Sequence, residues 1–106
     1  MRYVKLGAVR AFPGAVPDKA QALKVLEEAA EVVEAFKRAD PGDVLPVARQ
    51  FPDCNKRILP LMDEIADTIQ ACCNLASALG VTDLTPYLAR CEERNRERGR
   101  YDSGDR

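Results

Sequence analysis

Two short acidic patterns carry the chemistry for which this chain is equipped: "EEAAE" at residues 27–31 and "EIAD" at residues 64–67. Each sets carboxylates one helical turn apart, Glu28 with Glu31 and Glu64 with Asp67. Like charges at that spacing destabilise a helix by roughly 0.2–0.5 kcal/mol per pair, so each pair is either well solvated or neutralised by a counter-charge. The chain contains no histidine, which excludes a Ser-His-Asp or Cys-His machine, HExxH zinc chemistry and the ExxH di-iron motif. Cys54, Cys72, Cys73 and Cys91 lack CxxC spacing, so neither zinc nor a disulfide framework is favoured, and small buried or half-buried thiols are expected. Oxygen chemistry remains. If the two acidic helices lie antiparallel, Glu28, Glu31, Glu64 and Asp67 offer four oxygen ligands to one pocket. An all-oxygen set favours Mg²⁺, with Mn²⁺ as a substitute. Mg²⁺ usually keeps waters and shares phosphate oxygens, so the implied substrate carries phosphates.

The elements that must position these acids are legible in the same residues. Pro17 and Asp18 suit a helix start, and "DKAQALKVLEEAAEVVEAFKRA" follows without interior Gly or Pro until "DPGD" breaks it at residues 40–43. Its apolar stripe is expected to be Ala22, Leu26, Ala29, Ala30, Val33 and Phe36, with Glu28 at the border near Val25, Val32 and Ala35. Taken alone, the acidic run on this helix reads as a solvated face, and Glu34 stays there. Residues 40–58 hold Pro41, Pro46 and Pro52 and read as a linker with one short helix in "VLPVARQF". A second long helix starts near Pro60 and stops at Gly80. Leu61, Ile65, Ile69, Cys72, Leu75, Ala76 and Leu79 form its expected core stripe. Asp63, Gln70 and Ser77 form its polar stripe, while Glu64 and Asp67 lie beside Ala71, Asn74 and Ala78, where another helix is expected to approach closely. A third helix is expected over about 83–98, capped by Thr82, Asp83 or Thr85 and ended by Gly99.

Residues 1–16 form an irregular lead-in and residues 102–106 a frayed tail. No segment alternates as a strand does, so the expected fold is all-α. It is an antiparallel helical bundle of four-helix type, one domain over residues 1–106, completed by homo-oligomerisation. The 16 basic and 17 acidic residues nearly cancel, for a net charge of −1, which argues against a nucleic acid polymer or an anionic membrane as partner. No apolar run approaches a bilayer span and the N-terminus lacks a signal-peptide pattern, so the cytoplasm is the expected location.

"EEAAE" and "EIAD" resemble the EExxE and ExxD motifs of MazG-like all-α nucleoside triphosphate pyrophosphohydrolases. Asn74, seven residues after Asp67, is similar to the recurrent asparagine of that family, and "RNRERGRY" resembles the end of its last helix. The resemblance covers about residues 19–101. It implies Mg²⁺-dependent cleavage of a (d)NTP between its α and β phosphates, giving monophosphate and pyrophosphate, with nucleotide house-cleaning as a role. It assigns Glu28, Glu31, Glu64 and Asp67 to the metal and Glu27 to an outer acid or to orienting the water. Lys24, Asn74, Asn95 and Arg98 fall to the substrate, and a homodimer is the minimal assembly. The alternative is a non-catalytic dimeric module that senses metal or nucleotide. Residues 40–58 lengthen the connection between the two acidic motifs relative to compact relatives, and Tyr3 or Phe12 in the lead-in has either a base or the protein's own core to pack against.

Overall fold

The first helix begins where the sequence supplies a cap. The Asp18 carboxylate accepts the Gln21 backbone N–H at 2.9 Å, and α1 runs over Lys19–Arg38. Lys37 and Arg38 occupy its last turn, where positive charge complements the negative end of the helix dipole. In the computed structural model, which describes residues 2–39 and 49–102, one 3-10 turn at Lys56–Ile58 leads directly into α2, Leu59–Ala78. Pro60 sits in the first turn of α2, where its missing N–H costs nothing. The helix ends on Gly80 at φ +88°, with Gly80 donating to the Ser77 carbonyl and Val81 to the Ala76 carbonyl, each at 2.9 Å. These paired bonds satisfy the last carbonyls. The third helix, α3, spans Thr85–Glu97 and closes in the same way on Gly99 at φ +72°. Asp83 accepts the Thr85 N–H at 2.9 Å, which holds its carboxyl below the usual range.

The described residues contain three α-helices and no strand, so the chain is all-α. The expected tail beyond Asp102 and most of the expected helix in "VLPVARQF" lie outside the described residues. None of the described helices is long and apolar enough to cross a membrane.

Helices α1 and α2 pack along each other, while α3 packs closely against neither. Gln21 and Lys24 share a cavity wall with Gln70 and Asn74, whereas Glu28 meets Glu64 and Asp67. Positions therefore rise along α1 as they fall along α2, and the pair is antiparallel. The lead-in crosses α2 as extended chain, with Phe12 N–H donating to Asn74 Oδ1 and Gln70 Nε2 donating to the Arg10 carbonyl, both at 2.9 Å.

The packing face differs from the expected stripes. On α1 the side turned inward is Val25, Glu28, Ala29, Val32 and Ala35, so Ala29 alone of the expected stripe is partly covered, and Ala35 alone is buried. Leu26 is 66% and Val33 57% exposed. On α2, Leu61, Ala71 and Asn74 are buried, but Cys72 and Leu79 are exposed. The covered side is set by the partner and not by size: Ala35 and Ala71 are buried and Val25 and Val32 half-buried, whereas Ala22 and Ala30 lie exposed with Leu26. The thiols divide likewise, Cys54 buried and Cys73 half-buried, but Cys72 and Cys91 exposed, contrary to expectation, and all four free. Among the described residues no large side chain is wholly buried. The radius of gyration of 15.8 Å exceeds the roughly 13 Å of a compact domain near 100 residues, so the single chain leaves much apolar surface uncovered.

Candidate functional site

The antiparallel pairing brings the two acidic motifs together. Glu28 from α1 and Glu64 and Asp67 from α2 each offer an oxygen within 4.8 Å of the other two. Glu31, one turn beyond Glu28, stands close enough to the Glu64 carboxyl for its charge to act on it. Glu64 Oε2 is the only buried side-chain nitrogen or oxygen among the described residues that has no hydrogen-bond partner. Loss of solvent, then the charge of Glu31, then Asp67 and Glu28, push the Glu64 carboxyl above the ordinary glutamate range. Buried polar atoms are normally paired. An orphaned carboxylate oxygen facing three other acids fits a hard cation, which would supply the missing partner and the missing positive charge at once.

A cavity of about 520 Å³ opens beside this cluster, lined by Glu28 and Asp67 together with Lys24, Phe12, Gln70 and Asn74. Lys24 lies in ion-pair contact with Glu27 at 3.3 Å on an exposed face. Glu27 therefore neutralises Lys24 within one turn, and it belongs neither to the three-carboxylate cluster nor to the cavity wall. Asn74 is 4% exposed. Its Oδ1 accepts from both the Phe12 N–H and Gln70 Nε2, each at 2.9 Å.

The expected residues thus divide. Glu28, Glu31, Glu64 and Asp67 converge between α1 and α2, and Lys24 and Asn74 share the adjoining cavity. Asn95 and Arg98 do not reach it within one chain. Asn95 contacts Cys91 Sγ at 3.5 Å and Arg98 forms the exposed end of α3. Gln70 and Phe12 are the residues that sequence reasoning undervalued. Gln70 stands in a polar stripe that reads as solvated, and its one sequence signal is the amide of Asn74 four residues on, within reach across a helical turn.

Comparison of the chain with protein-family models, with curated proteins and with solved structures gives no match. The family resemblance therefore rests on the sequence motifs alone.

Proposed function

We propose that the chain is a Mg²⁺-dependent nucleotide pyrophosphohydrolase, cleaving a (d)NTP between the α and β phosphates to (d)NMP and pyrophosphate. The observation that carries this reading is the convergence of Glu28, Glu64 and Asp67 within 4.8 Å, with Glu31 near Glu64, beside a cavity large enough for a nucleotide. These four carboxylates would hold the cation, Mn²⁺ serving as a substitute. When bound, it would supply positive charge to phosphate oxygens and acidify a water.

The chain's own residues supply the rest. Lys24, on the cavity wall, attracts the phosphates, and Glu27 holds Lys24 in place until substrate competes for it. Glu27 is then released as a carboxylate to orient the attacking water, the role the motif resemblance gives it. Asn74 presents an amide to the nucleoside.

A homodimer belongs to the same proposal. Ala29 and Val32 of α1 and Ile65, Thr68 and Ile69 of α2 line an apolar groove. Leu26, Val33 and Phe36 lie beside it at helical spacing, all more than half exposed. Two copies packed on this face would form a four-helix bundle and cover that surface. They would also give Asn95 and Arg98 a route to the partner's cavity. A cytoplasmic location, with no polymer or membrane partner, agrees with the balanced charge.

The test is to incubate the protein with a panel of NTPs and dNTPs plus Mg²⁺ and identify the products. Monophosphate and pyrophosphate are expected. Orthophosphate would point to another phosphohydrolase, and retained nucleotide without turnover would favour the non-catalytic sensing module.

A further inference from the structure

Phe12 is an aromatic side chain left 60% exposed on a backbone that is held in place. Its own N–H is bound by Asn74 Oδ1, the carbonyl of Arg10 by Gln70 Nε2, and Gln70 Nε2 also reaches Asn74 Oδ1, all at 2.9 Å. The two bonds to the lead-in join residues about 60 positions apart in sequence. They also fix the orientation of both amides. A backbone N–H only donates, so the Asn74 atom facing Phe12 is its oxygen, and a backbone carbonyl only accepts, so Gln70 turns its nitrogen to Arg10. Asn74 Nδ2 consequently has no partner among the described residues. It is not sealed off either, since Glu64 Oε2 is the only buried unpaired side-chain atom found there. Asn74, 4% exposed, lines the same cavity as Phe12.

Asn74 follows Asp67 by seven residues, about 10 Å along the helix axis at 1.5 Å per residue, which is on the scale of the separation between a nucleobase and the outer phosphates of its nucleotide. The carboxylates mark the phosphate side of the cavity, and Phe12 is docked on Asn74, two turns of α2 away from Asp67. An exposed phenyl ring on a clamped backbone loses little freedom when a flat ring stacks on it.

We propose that Phe12 is the stacking platform for the base of the nucleotide, with Asn74 Nδ2 donating to an acceptor on the nucleoside. The lead-in is thus the wall that gives the site its selectivity for a heteroaromatic ring over bare polyphosphate. This rests on the reading of the cavity as a nucleotide site, and the experiment separates the two.

The chain has no tryptophan, so Phe12→Trp introduces a single reporter whose emission a stacked base quenches without any turnover. Quenching by nucleoside triphosphate with Mg²⁺, and none by inorganic tripolyphosphate, is expected. In parallel, Phe12→Ala should raise KM for the triphosphate by about 10-fold, in keeping with stacking, with kcat within two-fold and inhibition by pyrophosphate unchanged. Unquenched Phe12→Trp emission at saturating nucleotide overturns the proposal. So does an unchanged KM for Phe12→Ala while the wild type still hydrolyses nucleotides, which leaves the activity standing. Quenching by nucleotide in a protein that turns none over upholds the stacking platform and removes the hydrolase.

Discussion

Replacing Asn74 by alanine removes the junction between the lead-in and α2, and its cost follows from the contacts. Asn74 Oδ1 accepts two hydrogen bonds, from the Phe12 N–H and Gln70 Nε2. Each contributes about 1 kcal/mol net. Gln70 keeps the Arg10 carbonyl, so the expected loss is about 2 kcal/mol. If the lead-in and helix pair unfold together, the Tm falls by about 10 °C for a chain of this size. If the lead-in opens alone, the same loss appears locally. The Ala15 amide, which donates to the Phe12 carbonyl at 3.4 Å, then exchanges about 30-fold faster, since 1.4 kcal/mol is a factor of ten. Thermal unfolding together with hydrogen exchange distinguishes the two cases. Asn74→Asp is the control, because both of its carboxylate oxygens accept and the lead-in stays docked, although the Nδ2 donor is gone. A Tm for Asn74→Ala within 2 °C of wild type, with unchanged exchange at Ala15, would show that the amide clamp does not hold the lead-in and would refute this reasoning.

Other perturbations probe the carboxylates and the open face. Glu64→Gln should abolish turnover while leaving the metal-free fold as stable or more stable, because it removes like-charge repulsion; an active variant would sink the metal assignment. With Glu64 raised in the folded state, the native protein binds more protons than the unfolded chain just above the ordinary glutamate pKa. Stability of the metal-free protein therefore falls as pH rises through that interval, and the slope should vanish in Glu64→Gln. Mg²⁺ or Mn²⁺ competes with that proton and should raise the Tm, by an amount equivalent to about 2.7 kcal/mol at one hundred times Kd; a flat thermal-shift titration counts against a preformed site. Leu26→Glu with Val33→Glu places charge on an exposed apolar stripe and should yield monomers by sedimentation, whereas a monomeric wild type would refute the dimer.

Local rules sufficed for the helices. Asp18 as cap, Pro60 in a first turn, and Gly80 and Gly99 in left-handed closures depend only on neighbours within a few residues, so α1, α2 and α3 were readable with ends correct to a residue or two. The one-turn pairing of Glu28 with Glu31 and Glu64 with Asp67 was equally local. The choice of face was not. α1 carries apolar residues on more than one side, and which side is covered depends on where the partner helix lies, not on α1 alone. Leu26 and Val33 were thus left outside while Ala35 went in. The docking of Phe12 and Arg10 on Asn74 and Gln70 was also beyond the sequence, because extended backbone has no periodicity and its hydrogen bonds say nothing of a partner 60 residues away. The sequence by itself determined three helices and four acids in two pairs. Only the tertiary structure decided that antiparallel packing converges those acids and that the lead-in walls the cavity beside them, because both depend on contacts between segments that no local pattern encodes.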